Sequence, residues 1–277
     1  MDRILVTTDF SSNSKAACRF AIQLASQHKC ELTFFHSYYI ANIGLMSGEA
    51  LVAFENKEED KIKKKLNKFV EILYKGIDSS LSNKKCVIKS AVFTDSSIRE
   101  YAQENNFSFI CISTRGSGKL KKIFGSNTSN LITHSTVPVI AVPFNYRRSE
   151  INKIIYASDL VNLEEEVVKV NEFVKPLNAI VEILHFEYPT DDAVNRIALD
   201  KLIKGNSGRD FKLHIKKIDL TESLILNIRS VIKKSKPSML IMFTQQNRSF
   251  FTKIFHPSKS AYYSFNAKVP LLVFNKT

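Results

Sequence analysis

Short apolar runs alternate along this chain with longer segments in which apolar residues recur every three or four positions. The short runs predict buried strands, and the longer segments predict amphipathic helices. Ala16, Phe20 and Leu24 carry the helical spacing near the N-terminus, and Leu66 and Val70 carry it later in the chain. A regular alternation of strand and helix is typical of an α/β fold, in which a parallel sheet is covered on both faces.

The pattern predicts five strands in each half of the chain. In the first half they begin near residues 3, 32, 86, 107 and 139. In the second half they span residues 154–157, 181–185, 211–218, 238–243 and 270–274. Helices are expected between them, including 97–104 in the first half and 164–177, 193–204 and 223–234 in the second.

The two halves repeat each other. Residues 3–9, Arg-Ile-Leu-Val-Thr-Thr-Asp, are echoed by residues 153–159, Lys-Ile-Ile-Tyr-Ala-Ser-Asp. Two further echoes follow in the same order, because residues 31–36 resemble 181–185 and residues 137–142 resemble 269–274. Three echoes in one order predict two copies of one domain, covering residues 1–147 and 148–277, and each copy is long enough to hold its own core.

The segment from residue 107 to residue 132 carries the chain's clearest indication of a binding site. An apolar strand ends at Ser113, glycines follow at positions 116, 118 and 125, and Ser126 and Asn127 open a helix. Glycine adopts backbone angles that other residues resist, and it allows close approach of a ligand. Free amide groups and the helix dipole favour an anion at a helix start. The segment therefore predicts a phosphate-binding loop.

This loop resembles the nucleotide loop of the universal stress protein family. The family pattern runs glycine, two residues, glycine, nine residues, glycine and then serine or threonine. Here Ser113 occupies the position of the family's first glycine, and eight residues instead of nine separate Gly116 from Gly125. The resemblance implies that ATP, or ADP or AMP in its place, binds with magnesium as the accompanying ion. It also implies two open five-stranded parallel sheets of Rossmann-like type with strand order 3-2-1-4-5.

The resemblance assigns roles outside the loop as well. Asp9, which follows Thr8 after the first strand, matches an aspartate that contacts adenosine in relatives, and Ser37 after the second strand offers its backbone to adenine. The implied strand order opens a crevice between strands one and four, where these residues meet the loop. The implied nucleotide site consists of Thr8, Asp9, Ser37, Ser113, Thr114, Arg115, Gly116, Gly118, Gly125, Ser126 and Asn127. No catalytic residue and no metal ligand is assigned.

The second copy lacks this loop. No glycine appears between residues 244 and 258, and Pro257 removes an amide donor from the expected anion cradle. Asp159 is retained, but an aspartate after a strand is an ordinary turn residue when no phosphate loop accompanies it. We therefore expect the second copy to be an empty structural or partner-binding half.

Composition and charge add little that is specific. The formal charge of +13 invites a nucleic-acid interpretation, but the lysines between positions 57 and 68 alternate with acidic residues, as on a solvated helix face. Four cysteines, at positions 18, 30, 86 and 111, lack metal-type spacing and predict reduced core thiols. No apolar run reaches membrane length and no signal peptide is recognised, which predicts a cytoplasmic protein without membrane contact.

Enzymatic alternatives find little support. Gly118-Lys119 lacks the Walker arrangement and Gly-x-Ser-x-Gly is absent, so at most slow ATP hydrolysis is expected. His36 and His185 end equivalent strands, which favours structural roles. The expected function is a nucleotide-dependent regulatory or partner-binding role in stress response, with an unidentified protein partner. The alternative is a scaffold of the same fold that binds no nucleotide, suggested by Ser113 and the shortened loop.

The last strand of each copy predicts self-association. By the family resemblance, the strands at residues 139–142 and 270–274 lie at sheet edges, and an open apolar edge invites pairing. The two copies are tethered, which raises their effective concentration. We therefore expect them to pair within one chain as a pseudo-dimer, with a homodimer of whole chains left open.

Overall fold

The computed structural model describes residues 1–40, 48–75, 84–114, 125–189, 195–208, 211–244 and 269–275. The chain divides into two compact units, Met1–Arg148 and Ser149–Thr277. Arg115, Gly116 and Gly118 of the predicted loop lie outside the described residues, as does the corresponding segment of the second unit with Pro257.

The first unit alternates strands and helices as the apolar pattern predicts. Its elements are β1 (Asp2–Thr7), α1 (Ser14–Gln27), β2 (Cys30–Tyr38), α2 (Glu49–Lys75), β3 (Lys84–Ser90), α3 (Thr94–Glu104), β4 (Phe109–Ser113), α4 (Ser126–His134) and β5 (Val139–Val142). The strands are parallel and lie in the order β3-β2-β1-β4-β5. The predicted fold class and strand order are confirmed in this unit.

Helices cover both faces of this sheet. The chain moves from β1 through β2 to the edge at β3, then returns past β1 to β4 and β5. Because crossovers between parallel strands are right-handed, α1 and α2 lie on one face and α3 and α4 on the other. Contacts agree with this assignment, since the Cys111 thiol donates to the Ala17 carbonyl in α1 at 3.5 Å and Tyr101 of α3 lies 5.1 Å from the Phe35 ring.

The second unit repeats the plan. Its elements are β6 (Lys153–Ala157), α5 (Leu163–Val174), a 3-10 turn (Lys175–Leu177), β7 (Ile180–Glu187), α6 (Arg196–Ser207), β8 (Lys212–Lys217), α7 (Leu224–Ser235), β9 (Met239–Thr244) and β10 (Leu271–Asn275). The parallel order β8-β7-β6-β9-β10 corresponds strand for strand to the first unit. The single helix predicted at 164–177 instead changes to 3-10 geometry at Lys175, because Pro176 has no amide to continue the α-helical bonding.

Three of the four cysteines predicted to be core thiols lie in the core, whereas Cys86 is only half-buried. All four cysteines are free, and Cys18, Cys30 and Cys111 are buried. Burial raises the pKa of Cys18 and of Cys30 to about 12, so these thiols stay protonated and unreactive at neutral pH. The α2 lysines at 57, 61, 63, 64, 65 and 68 are exposed. Across the described ranges, no helix combines the length and the apolar character needed to cross a membrane.

Candidate functional site

The crevice predicted between strands one and four lies at the carboxyl ends of β1 and β4. The strand order reverses there, because β2 lies on one side of β1 and β4 lies on its other side. In parallel sheets, ligands bind in the crevice beyond the strand ends at such switch points. Thr8 directly follows β1, Ser113 is the last residue of β4, and Thr114 directly follows it. All three side chains are buried, so polar groups are enclosed at a point where a purely structural core would be apolar.

The turn after β1 is held by two of the predicted site residues. The Asp9 carboxylate accepts hydrogen bonds from the Ser11 amide at 3.0 Å and from the Ser11 hydroxyl at 2.5 Å. The Thr8 hydroxyl accepts from the Phe10 amide at 3.0 Å. Phe10 has a φ of 63°, which residues with a side chain rarely adopt, and these bonds hold it there. Asp9 therefore has a structural role independent of any ligand.

The second unit builds the same turn after β6. The Ser158 hydroxyl accepts from the Leu160 amide at 3.0 Å, and the Asp159 carboxylate accepts from the Val161 amide at 3.1 Å. Leu160 has a φ of 64°. Because the geometry recurs in the copy without the glycine loop, an aspartate after the first strand does not by itself identify a nucleotide site.

His36 links β2 to this turn. Its Nδ1 lies 2.8 Å from the Thr8 carbonyl, and Nδ1 of His185 lies 3.0 Å from the corresponding carbonyl of Ser158. Burial lowers the pKa of His36 against the opposing effect of its hydrogen bond to Thr8, and the nearby Lys65 ammonium lowers it further. A neutral imidazole protonated at Nδ1 donates this bond. The structural role predicted for both histidines fits this geometry.

The connection from β4 to α4 uses several of its backbone groups internally. The Thr114 amide donates to the Val142 carbonyl at 2.8 Å, and the Gly125 amide donates to the Thr114 carbonyl at 2.8 Å. The Thr128 hydroxyl donates to the Ser113 carbonyl at 2.9 Å. These bonds fix the start of α4 against the end of β4. They also mean that the Gly125 amide, inside the predicted loop, is already engaged within the protein.

The next amides, at Ser126 and Asn127, begin α4. The first amides of a helix have no partner inside the helix, and Gly125 at the N-cap position provides no side chain to accept from them. The first turn of α4 also lacks an acidic residue. Because the helix dipole adds positive potential at this end, the start of α4 is suited to an anion.

Gly125 itself is not required by backbone geometry. Its φ of −60° and ψ of 160° lie in the extended region that any residue adopts. What glycine contributes here is the absence of a side chain beside the open amides of α4, and a larger residue would fit the backbone while occupying that space.

Two buried hydroxyls at the crevice are unsatisfied. The Oγ atoms of Ser113 and Ser37 have no hydrogen-bond partner among the described residues. Ser113 is only 5% exposed. Buried polar groups in native proteins almost always have a partner, so an unpartnered one calls for water or a ligand to satisfy it. Both serines lie at strand ends on either side of β1.

Ser37 lies inside β2 and not after it. The strand extends to Tyr38 because β3 pairs with both residues, Ser37 with Lys89 and Tyr38 with Ser90. Ser37 is predicted as the residue that follows the strand after His36, and that boundary is wrong by two residues because β2 ends at Tyr38.

The peptide groups of Ser37 nevertheless point to the crevice. The Phe35 carbonyl accepts from the Thr8 amide at 2.9 Å, on the β1 side of β2. Alternate residues of a strand direct their peptide groups to the same neighbouring strand. The amide and carbonyl of Ser37 therefore face the side of β1, beyond the point where β1 ends.

The second unit fills the corresponding space with aromatic rings. Val6 pairs with Cys111 in the first unit and Tyr156 pairs with Ile241 in the second, so Ser113 corresponds to Phe243. By the same registers, Val142 corresponds to Phe274 and Ser37 to Phe186. The Phe243 ring stacks on Phe274 at 4.9 Å and lies 5.6 Å from Tyr156. In place of Ser113 and Val142 the second unit thus has the stacked rings of Phe243 and Phe274.

A buried polar pair completes this packing. The Tyr156 hydroxyl donates to the buried carboxylate of Glu166 in α5 and lies 2.9 Å from the Ser158 hydroxyl. Burial and the nearby Glu166 charge raise the pKa of Tyr156, which keeps its proton in place as a donor. The end of β6 is therefore occupied by the protein's own side chains.

The structure thus places the described members of the predicted site at one end of one sheet. These are Thr8, Asp9, Ser37, Ser113, Thr114, Gly125, Ser126 and Asn127. Sequence reasoning missed Thr128, which joins α4 to β4, although its place in a Ser-Asn-Thr helix start was an available signal. In the described part of the chain, no three His, Cys, Asp or Glu side chains are arranged to hold a metal ion.

Comparison with known proteins assigns this fold. The chain is similar to a universal stress protein from Archaeoglobus fulgidus DSM 4304, with a TM-score of 0.68 and 17% identity. The superposition covers 99% of this chain and 96% of the other. It is also similar to a protein of unknown function from Pseudomonas aeruginosa PAO1, with a TM-score of 0.57 and 12% identity. Here the superposition covers 99% of this chain and 92% of the other. At these identities the similarity shows the fold alone. No curated protein sequence matches the chain.

A protein-family model gives the more specific result. The model described as the universal stress protein family matches residues 1–143. That stretch lies within the unit that carries the glycine-containing segment and the unsatisfied Ser113 hydroxyl, and it covers just over half of the chain. The protein therefore belongs to the universal stress protein family.

Proposed function

We propose that the first unit binds one adenine nucleotide, ATP or else ADP or AMP, in the crevice between β1 and the start of α4. The observation that carries this proposal is the open N-terminus of α4 together with the buried, unpartnered hydroxyl of Ser113 at the strand end to which α4 is connected. Amide donors suit phosphate oxygens, and the hydroxyl can donate to the same ligand. The predicted contributions of Arg115, Gly116 and Gly118 complete the proposed phosphate site.

The base would lie at the other end of the crevice. The amide and carbonyl of Ser37 provide one donor and one acceptor there, which matches a ring nitrogen beside an exocyclic amino group. Asp9, near the start of the connection from β1 to α1, would face the sugar. Magnesium would reach the site on the phosphate oxygens and water, because this ion is commonly held with substrate phosphates.

The second unit would stay empty. The rings of Tyr156, Phe243 and Phe274 pack together at the corresponding strand ends. This packing supports the same conclusion as the missing glycine loop, that the second unit binds no nucleotide. We propose that this unit acts as a structural or partner-binding half of a nucleotide-dependent regulator in stress response. Four free thiols suit a cytoplasmic location, where thiols stay reduced.

Calorimetric titration of the full chain with ATP, ADP and AMP, with and without magnesium, tests this function. We expect saturable binding of one nucleotide per chain. If none of the three binds at millimolar concentration, the nucleotide proposal fails and the scaffold alternative of the same fold takes its place. Chromatography of the supernatant after heat denaturation of the purified protein would identify any nucleotide retained from the cell.

A further inference from the structure

The strand β3 lies at the edge of the first unit's sheet, with one side of its backbone unpaired. Among the described residues it pairs with β2 alone, and the Ala91 amide continues this pairing by donating to the Tyr38 carbonyl at 2.8 Å. Alternate residues of a strand direct their peptide groups to the same side, so those of Cys86, Ile88 and Ser90 point away from β2. None of these three peptide groups is bonded to a residue that the structure describes. Such an edge is a template for another strand.

Two lysines of β3 carry positive charge that no acidic side chain balances. Lys85 and Lys89 lie on the same face of the strand, about 13 Å apart at the usual rise per residue. Neither forms a salt bridge within the described part of the chain. The neighbour of Lys85 on β2 is Thr33, which is uncharged. The unpaired edge is therefore lined with positive charge.

An exposed apolar patch adjoins the carboxyl end of β3. Val92 and Phe93 follow the strand, and the bond between Ala91 and Tyr38 brings Tyr39 to the same end of the sheet. These three large apolar side chains are 62–71% exposed. Single exposed apolar residues are ordinary, whereas several at neighbouring positions are typical of an interaction surface. The unpaired backbone of β3 thus leads directly to an apolar surface.

The edge strand of the second unit, β8, has a covered backbone instead. The strand registers place Leu213 of β8 at the position of Cys86 in β3. The Arg196 guanidinium of α6 donates to the Leu213 carbonyl at 3.1 Å, on the side that points away from β7. A charged side chain placed there protects an edge from pairing. The Cys86 carbonyl has no such donor among the described residues.

The charge on β8 is also partly balanced. Lys212 stands at the position of Lys85, but its neighbour on the adjacent strand is Glu182 and not a threonine. The Glu182 carboxylate lies 3.0 Å from the Lys153 ammonium and 3.9 Å from the His214 imidazole. In the described parts of the two units, only the first combines an uncovered backbone edge with unbalanced lysines.

We propose that β3 is the docking site for an acidic, extended segment of a partner protein, which adds to the sheet as a further strand. Main-chain hydrogen bonds to β3 hold the segment, and its alternate side chains provide specificity. Its carboxylates meet Lys85 and Lys89, and an apolar residue at its end covers Phe93. A second copy of this chain fits poorly, because pairing two β3 strands sets lysines against lysines. This inference goes beyond the proposed nucleotide site and does not depend on it.

The probe for this site is a peptide as long as β3, in which glutamate alternates with valine and a leucine stands at each end. Calorimetric titration of the full chain should show saturable binding that weakens with added salt, because salt screens the charges. The same peptide methylated at its backbone nitrogens has no main-chain donors and should not bind. A peptide with lysine in place of glutamate should not bind either.

A proline substitution tests the backbone edge. Ile88→Pro removes one outward amide and leaves the bonding to β2 intact, because proline is tolerated on an edge strand. Ile88→Ala is the matched control, since it also loses the isoleucine side chain but keeps the amide. The proline variant should bind the acidic peptide about threefold to tenfold more weakly than the alanine variant, the effect of one hydrogen bond.

Two double variants test the charge. Replacing both Lys85 and Lys89 by alanine should weaken binding of the acidic peptide about fivefold and reduce its salt dependence. Replacing both Lys212 and Lys216 by alanine removes the same charge from the corresponding positions of the second unit. This control should leave the affinity for the peptide unchanged. Phe93→Ala should weaken binding without changing the melting temperature, since this side chain is exposed.

Four results would each overturn the inference. The first is no saturable binding of the acidic peptide at millimolar concentration. The second is equal binding of the methylated peptide, which would exclude strand pairing. The third is an equal loss in the two double-lysine variants, which would indicate attraction to the net charge, as for a nucleic acid. The fourth is self-association of the unmutated chain that Ile88→Pro abolishes, which would assign the edge to a second copy. Binding of the peptide in the absence of any nucleotide binding would leave this inference standing while the proposed function failed.

Discussion

Phe243 stands at the register position in the second unit that Ser113 occupies in the first. Ser113 is the last residue of β4 and Phe243 the last but one of β9, and each pairs with the last strand of its unit, Ser113 with Val142 and Phe243 with Phe274. In one unit this position leaves a buried hydroxyl without a partner, and in the other it supplies a ring to a packed aromatic cluster. The two units thus differ at this position both in polarity and in packing.

The first prediction concerns the two equivalent aspartates. Asp9→Ala and Asp159→Ala each remove a turn hydrogen bond, so each should lower the free energy of unfolding by about 1 kcal/mol. Only Asp9→Ala should weaken ATP binding, because only the first unit is proposed to hold a nucleotide. Urea denaturation and calorimetric titration measure the two effects. An equal loss of ATP affinity in Asp159→Ala, or two nucleotides bound per chain, would contradict the assignment of the second unit.

The second prediction tests the amides of α4. Proline is well tolerated at the first position of a helix, and the extended Gly125 before it suits the residue preceding a proline. Ser126→Pro should therefore fold normally but lose one donor to phosphate, which should raise the ATP dissociation constant about tenfold.

Ser126→Ala is the control for that experiment, since it removes the hydroxyl and keeps the amide. We expect its ATP affinity to stay close to that of the unmutated chain, while circular dichroism shows the same helix content in both variants. Equal ATP affinity in Ser126→Pro and Ser126→Ala would show that this amide does not contact the ligand.

The third prediction concerns the aromatic filling of the second unit. Phe243 is 8% exposed and contacts two other rings, so Phe243→Ala should leave a cavity and lower the free energy of unfolding by about 3–5 kcal/mol. Phe93, which is 71% exposed, supplies the control, because Phe93→Ala should change stability by less than about 1 kcal/mol. Chemical denaturation measures both values. A small effect at Phe243 would mean that the cluster does not stabilise the unit.

The fourth prediction is a pH dependence that originates at His36. Burial, with Lys65, holds the pKa of His36 below its ordinary value of 6.5 in the folded chain, whereas the unfolded chain takes up the proton at that value. The unfolded state therefore binds more protons below about pH 6.5, and the free energy of unfolding should fall as the pH drops through this range.

His36→Asn tests that origin, because the asparagine amide can still donate towards the Thr8 carbonyl but does not titrate. We expect urea denaturation at about pH 7.5 and about pH 5.5 to show a smaller loss of stability for the variant than for the unmutated chain. The same loss in both proteins would assign the pH dependence to other groups.

Residue patterns along the chain were enough to predict the fold class of each unit and most of its strands and helices. The helical spacing of Ala16, Phe20 and Leu24 and the apolar run of β1 are local signals, since each element buries one face or both whatever its partners are. The repeat of Arg3–Asp9 in Lys153–Asp159 needed no structure either. Strand order came from the resemblance carried by Gly116, Gly125 and Ser126, because spacing along the chain does not state which strands become neighbours.

The sequence by itself determined that the first half carries a glycine-containing loop with Ser113 at its first position, and that the second half carries none. Only the tertiary structure decided what surrounds that position. The Ser37 boundary depends on pairing with Lys89, and the unsatisfied state of the Ser113 hydroxyl depends on which groups the fold brings near it. Phe243 looked like an ordinary member of an apolar strand until its register against β6 and β10 placed it in the crevice. Each of these facts depends on segments that are distant in the chain, and contacts of that kind leave no local pattern in the sequence.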